Sequence, residues 1–383
     1  MSSHRYDCII VGSGPAGSSL AASLAMDGID VLVLEKAALP RYKVCGGGVT
    51  KRALLKMPVD ISSVLRDAID TFDLSFNGNN GKQFKYKNPI VYSVMRDELD
   101  FLLANHAVNN GAKLITKTVV QRVKEMADQV IVTTNNEEYN ARYVIGADGV
   151  NSLVARQSGL VTKRRTAAAF ECEIFTDEKT LEKYRHCIAI DYGIVPFGYG
   201  WIFPKGDHLS VGIGSYQYSH KQSMSQLERY IGLNQLNAKS VKIKGSFLSA
   251  GGMQDQVQTS RIALVGDAAG LVEPFGGEGI YYALWSSELL AARLKETFLG
   301  EKESFVRYQA DVDDLILPEM QLIDRISNLF YRNSNQIHHL ITVFPFLTKT
   351  GFEVLDGGSS YMNLYQKVKK AMSLTKLFKM KTT

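Results

Sequence analysis

Residues 6–35, YDCIIVGSGPAGSSLAASLAMDGIDVLVLE, carry the signal that decides the fold. Tyr6 to Val11 reads as a buried strand, Gly12-Ser13-Gly14-Pro15-Ala16-Gly17 as a turn, Ser18 to Met26 as a helix of small residues, and Val31 to Leu34 as a second strand. This is a βαβ unit. Its first glycine permits the tight turn, the second lets the backbone approach a pyrophosphate, and the third lets helix and strand pack closely. The helix N-terminus then faces the phosphates. Glu35 ends the second strand 18 residues after Gly17, where a carboxylate accepts hydrogen bonds from both hydroxyls of an adenosine ribose and repels a 2′-phosphate. Strand, turn, helix, strand and terminal acid in this order predict a nucleotide site rather than a structural glycine turn.

Two later segments run from a strand into a Gly-Asp turn: Tyr143 to Ser152, containing Gly146-Ala147-Asp148-Gly149, and Ile262 to Gly270, containing Gly266-Asp267. A carboxylate at such a strand end lies beside a ribityl or ribose hydroxyl, while the following helix N-terminus faces phosphate. Asp148 and Asp267 are therefore candidate cofactor residues, Asp267 for a ribityl chain.

The 383 residues suit two or three packed units, and 45% hydrophobic with 22% charged residues are ordinary globular values. Lys and Arg exceed Asp and Glu by only 44 to 39, too weak an excess for a nucleic-acid surface. Cys8, Cys45, Cys172 and Cys187 lie far apart with no C-x-x-C pair, so neither a disulfide framework nor a metal or iron–sulfur site is expected, and a reducing compartment fits. His338 and His339 are adjacent and cannot face one metal from a regular helix. No run of 18 apolar residues occurs.

GSGPAG near the start, GADGVNS in the middle and RIALVGDAAGLVEPFGGEGI late together resemble the three-part signature of FAD enzymes related to p-hydroxybenzoate hydroxylase. PRYKVCGGG (40–48), YSVMR (92–96), YGWIFPK (199–205) and GEGIYYA (277–283) narrow the resemblance to the geranylgeranyl reductase family, over residue 5 to about 290. These flavoproteins saturate prenyl double bonds in lipids, quinones or chlorophyll side chains. The resemblance implies an α/β (α+β overall) chain with a Rossmann-like, discontinuous FAD-binding domain at 1–68, 95–157 and 259–300. A substrate-binding domain with an antiparallel sheet is expected at 69–94 and 158–258, and a C-terminal helical region at 301–383.

The set expected to hold FAD is Gly12, Gly14, Pro15, Ala16, Gly17, Glu35, Lys36, Arg96, Asp148, Gly266, Asp267, Gly276, Gly277, Gly279 and Ile280. Arg96 is assigned to the phosphates by family position, against a structural ion pair. The glycines at 276, 277 and 279 bring N–H groups to the pyrimidine end of the flavin, where reduction adds negative charge. Glu278 receives no role. Cys45, in a flexible glycine-rich segment with cations nearby, is the expected catalytic acid or flavin modulator; the alternative is a small buried cysteine. Tyr199, Trp201 and Phe203 alternate along one strand and are expected to wall the prenyl cavity, whereas Lys205 reads as a surface cation. The implied reaction is hydride transfer from reduced flavin N5 plus protonation, with NAD(P)H, ferredoxin or another redox donor protein acting transiently. The competing reading is a flavin monooxygenase or halogenase, whose Trp-x-Trp-x-Ile-Pro segment is similar to residues 199–204.

Beyond Ser304 the pattern is helical, with apolar residues at Leu315, Leu317, Met320, Ile323, Ile326, Leu329 and Phe330. It is read as a core-packed helix ahead of a lipid-tunnel wall. Gln366 to Thr383 carries six lysines and no acid, with apolar residues at helical intervals. That pattern fits an anionic lipid interface better than a solvated terminus. A cytoplasmic protein, peripheral on the inner membrane face, is the expectation.

Overall fold

Strand Arg5–Val11 is apolar on both faces over most of its length, as a strand inside a two-sided layer must be. The computed structural model, which describes residues 4–160, 165–217, 220–236, 242–249, 256–301 and 303–380, places it in the interior of a seven-stranded sheet. The sheet order is 113–115, 31–34, 5–11, 138–146, 130–134, 120–125. Strand Glu138–Gly146 serves three neighbours. Along one edge it runs parallel to Arg5–Val11; along the other its first half pairs antiparallel with Val130–Thr134, and its last three residues pair parallel with Ile262–Leu264. The carboxyl ends of Val11, Leu34, Gly146 and Leu264 thus converge on one edge, where α/β sheets bind ligands.

Helix Pro15–Ala25 starts on a proline, whose fixed φ suits the first turn, and buries every residue but Ser23. Two glycines make its approach to the sheet possible. Gly12 has φ +102°, and a Cβ there would lie 2.4 Å from the Ala147 carbonyl oxygen; a Cβ on Gly17 would lie 2.0 Å from the Gly12 carbonyl oxygen.

A second seven-stranded sheet has the order 244–249, 166–174, 209–215, 198–204, 187–192, 71–76, 79–85. It is antiparallel except for Cys187–Tyr192 against Thr71–Phe76, which are parallel. The expected all-antiparallel pattern fails at this pair because more than a hundred residues intervene between the two strands, so no hairpin dictates direction. Three short strands, Gly48–Thr50, Leu65–Ile69 and Val91–Val94, form a separate small sheet. Its strands come from both sides of the boundary expected at 68/69, which Leu65–Ile69 itself straddles. Strand Lys244–Ser249 forms one edge of the second sheet.

The C-terminal region is helical as expected. Phe305, Tyr308, Val312, Ile316, Met320 and Ile323 join the core of the first sheet. Leu315 is 49% exposed, contrary to its expected place on the buried face. The turn Val312–Ile316 is π-helical, and its wider winding rotates Leu315 out of the stripe.

Because the Gly12–Gly17 contact leaves no room for a side chain, Gly17→Val is expected to lower unfolding stability by about 3 kcal/mol, as measured by urea denaturation.

Candidate active site

One cavity of about 1210 Å³ opens along the carboxyl edge of the first sheet and continues under the second sheet to the C-terminal helices. Gly12, Gly14, Pro15, Ala16, Glu35, Lys36, Arg96, Asp148, Asp267, Gly276, Gly277, Gly279 and Ile280 all line it, with Cys45, Tyr199, Trp201 and Phe203. Gly17 and Gly266 stand behind the wall. Gly17 abuts Gly12, and a Cβ on Gly266 (φ +55°) would press on Ala16 and Ala283 at 3.2 Å, so both act through packing.

The nucleotide end is strongly organised. The Glu35 carboxylate accepts from the Ser13 N–H (3.0 Å), the Ser13 hydroxyl (2.8 Å) and the Ala37 N–H (3.0 Å), with Arg41 Nε at 3.5 Å. Burial works to raise its pKa, but Arg41 and these hydrogen bonds outweigh it and hold the carboxyl below its ordinary value. Arg41 also pairs with Asp100 (3.1 Å), and it is the atom set nearest the bare face of Gly14, at 3.8 Å from a Cβ built there. This arginine was not singled out as a cofactor residue, because only the fold brings it back over the glycine turn. Arg96 is held by Asp100 through two bonds of 2.9 and 3.0 Å, so the ion pair exists alongside its place in the cavity wall. Asp148 caps the helix Leu153–Gln157 by accepting from the Leu153 and Val154 N–H groups through Oδ2, while its buried Oδ1 has no partner among the described residues. A side-chain-free Gly14 surface, an arginine beside it and an orphaned carboxylate oxygen at the third strand end fit the pyrophosphate and hydroxyl groups of FAD.

Cys45 is gripped by its own loop. Its N–H donates to Glu171 Oε2 (2.7 Å) and its Sγ accepts from the Gly47 N–H (3.3 Å). Lys205, expected at the surface, is 1% exposed. Its ammonium donates to the Gly46 carbonyl (2.7 Å), the Val94 carbonyl (2.8 Å) and the Ser93 hydroxyl (2.9 Å), tying the Cys-Gly-Gly-Gly segment to the small sheet. Burial pushes its pKa down to about 8 and pushes that of Glu171 up. The expectation failed because a strand-end lysine carries no local sign of burial; its three oxygen acceptors come from segments more than a hundred residues away. Cys8, Cys172 and Cys187 are buried in the core.

Tyr199, Trp201 and Phe203 share the cavity-facing side of strand Gly198–Pro204. Their room comes from glycines elsewhere. A Cβ on Gly212 would lie 2.2 Å from the Trp201 ring, and one on Gly48 2.8 Å from the Phe203 ring. Past this wall the cavity is bounded by Phe72, Ile188, Ile326, Leu329, Phe330, Ile341 and Phe352. The helix Leu317–Arg332 therefore does both things considered for it: Met320 and Ile323 pack in the core while Ile326, Leu329 and Phe330 face the cavity.

The turn from Glu273 to Gly279 is held on both edges. Tyr199 donates to the Gly276 carbonyl (2.5 Å), Tyr331 to that of Phe275 (2.8 Å), and Ser327 (2.7 Å) and Tyr216 to that of Pro274. The Glu273 carboxylate, 1% exposed, accepts from the Phe275 (3.0 Å) and Gly276 (2.5 Å) N–H groups. The Gly276 N–H thus serves Glu273, not an open cradle as expected. Burial pushes the Glu273 pKa up to about 7, against the Gly276 hydrogen bond. Sequence reading gave this residue no role although it lies within the late motif, because its burial appears only in the fold.

Residues 5–308 match the FAD binding domain family. The chain is 32% identical to the geranylgeranyl diphosphate reductase of Rhodobacter capsulatus over 289 residues, 73% of this chain and 72% of that protein. It is 30% identical to the menaquinone reductase of Mycobacterium tuberculosis, covering 75% and 76%. A geranylgeranyl bacteriochlorophyll reductase-like protein from Thermoplasma acidophilum superposes with a TM-score of 0.79 over 96% of this chain and 99% of that one, at 22% identity.

The native Glu273 carboxyl keeps a proton that the unfolded chain releases near its ordinary pKa of 4.5, so its contribution to stability is complete below that pH and is lost as pH rises through about 7. Urea melts from pH 4.5 to 7.5 are expected to show a stability decline that Glu273→Gln flattens; equal slopes for both proteins would refute the assignment.

Proposed function

The chain belongs to the geranylgeranyl reductase family of FAD-dependent oxidoreductases, and from that premise we propose that it saturates isolated C=C bonds of a prenyl chain, of geranylgeranyl type, carried by a lipid or isoprenoid quinone. One observation carries this reading. A single cavity joins the nucleotide motifs, Cys45 and the Tyr199–Trp201–Phe203 wall to an apolar extension between the second sheet and the C-terminal helices. A long hydrocarbon chain is the substrate class such a continuous apolar space suits.

Bound FAD supplies the hydride once reduced. An isolated alkene has no carbonyl to polarise it, so alignment and a well-placed acid must lower the barrier, the acid contributing roughly 10² to 10⁴-fold. In this reading Cys45 donates the proton. Glu171 and Lys205 hold its loop from behind, and the apolar wall excludes water so that proton transfer goes to the alkene carbon. Gly12, Gly14, Pro15, Ala16, Glu35, Asp148 and Asp267 bind the cofactor with Arg41 and Arg96 beside its phosphates. The electrons come from NAD(P)H or ferredoxin. Residues 1–68, 95–157 and 259–300 act as the FAD-binding part, 69–94 and 158–258 as the substrate part.

The C-terminal helices favour contact with a membrane surface. Val343, Phe346 and Met362 are 45–52% exposed there, and Leu364, Tyr365 and Val368 of helix Tyr361–Met380 line the cavity close to Lys367 and Lys369. The side chains of 371–380 and residues 381–383 lie outside the described residues. No helix among the described residues is long and apolar enough to cross a membrane.

Anaerobic incubation of the reduced holoenzyme with geranylgeranyl lipids, prenyl alcohols and menaquinones, followed by mass spectrometry, should reveal added hydrogen pairs. Absence of added hydrogen, with oxygen incorporated into a substrate on admitting air, would transfer the protein to the monooxygenase or halogenase reading. Cys45→Ala is expected to keep the flavin spectrum and lose at least 10²-fold in kcat; full activity would remove the proton-donor role. Trp201→Ala should raise KM or change the product chain with FAD retained, as steady-state kinetics will show.

A further inference from the structure

Glu278 stands in the Gly276–Gly279 turn and lines the cavity, where a free carboxylate would oppose the negative charge that accumulates on a reduced flavin. The structure turns it away. Its carboxylate accepts from the Thr50 hydroxyl and from Arg52 through Nε (2.8 Å) and Nη2. Arg52 is 8% exposed. It lies in the short helix Lys51–Leu54, which follows directly on the strand Gly48–Thr50 and is capped by Thr50, so the same residue that caps the helix also fastens Glu278.

Arg52 also reaches the C-terminal helices. Its Nη1 donates to Glu319 Oε1 (3.0 Å), which accepts from the Tyr282 hydroxyl as well. The guanidinium lies 4.1 Å from the Tyr281 ring centroid and 5.3 Å from that of Tyr361, which itself lines the cavity. A planar cation with its donors split between two carboxylates and its face on aromatic rings is a fixed joint.

We propose that Arg52 is a positioning residue for the flavin: by neutralising Glu278 it sets the reduction potential of bound FAD, and by bridging Glu278 to Glu319 and Tyr361 it couples FAD affinity to the docking of the C-terminal helices. This rests on FAD occupying the cavity and not on the prenyl substrate, so its failure leaves the proposed reaction untouched.

The test is the FAD midpoint potential, by dye equilibration, together with the FAD dissociation constant, in the full-length protein. Arg52→Met should shift the potential negative and weaken FAD at least tenfold. Glu278→Gln should shift the potential positive, because the guanidinium loses its nearest counter-charge. The double variant should return toward the wild-type value. These opposite signs cannot come from general loosening of the fold. Shifts of the same sign in the two single variants, or none in either, would overturn the proposal. Should Arg52→Met alone fail to fold, the comparison rests on Glu278→Gln and the double variant, in which no carboxylate at 278 is left unpaired. The double must then lie more negative than Glu278→Gln; equal potentials refute the role.

Discussion

The constraint on which the nucleotide edge depends is the close passage of Gly12 past Ala147 at the ends of two parallel strands. A side chain at Gly12 or Gly17 would have to occupy the volume of a backbone carbonyl. Only with those glycines bare does helix Pro15–Ala25 settle on the sheet with its first turn aimed at the strand ends. The position of the glycine turn, Glu35 and Asp148 relative to one another then follows from the register of strands 5–11, 31–34 and 138–146. Everything later in the site is referred to that edge.

The rest of the cavity is made by bringing distant segments against this edge and neutralising the charges they bring. Glu171 and Lys205 grip the Cys45 loop from one side, each with a pKa moved by burial toward its neutral form. Glu273 tightens the turn before helix Ile280–Phe298 by consuming its N–H groups, and hydroxyls of Tyr199, Tyr216, Ser327 and Tyr331 consume its carbonyls. That turn is therefore fixed jointly by the second sheet and by helix Leu317–Arg332. The C-terminal helices are part of the site's construction, because two of the four hydroxyls come from them.

Much of this was legible in the linear sequence where the chemistry is local. The βαβ unit, Glu35, the two Gly-Asp turns and the alternation of Tyr199, Trp201 and Phe203 each depend on residues within one or two elements, and each residue lies where the local pattern put it. The misreadings share a different cause. Lys205 was taken for a surface cation, Glu278 was left without a role, and Glu273, Arg41 and Arg52 were passed over. Each acquires its function from partners more than thirty residues away or from burial that no neighbour announces. Leu315 was misplaced by a single π-helical turn, which shifts the face of a helix without altering its composition.

By itself the sequence determined the dinucleotide edge and the strand and helix classes, because glycine spacing, apolar periodicity and strand-end acids express steric and hydrogen-bonding requirements that act over a few residues; that the dinucleotide is FAD followed from the resemblance of its three motifs to a family. Only the tertiary structure decided which charges are buried, which carboxylates are paired and that the cavity continues into the C-terminal helices. Desolvation and ion pairing are properties of the surroundings of a group, and those surroundings exist only once the two sheets and the helices have closed on one another.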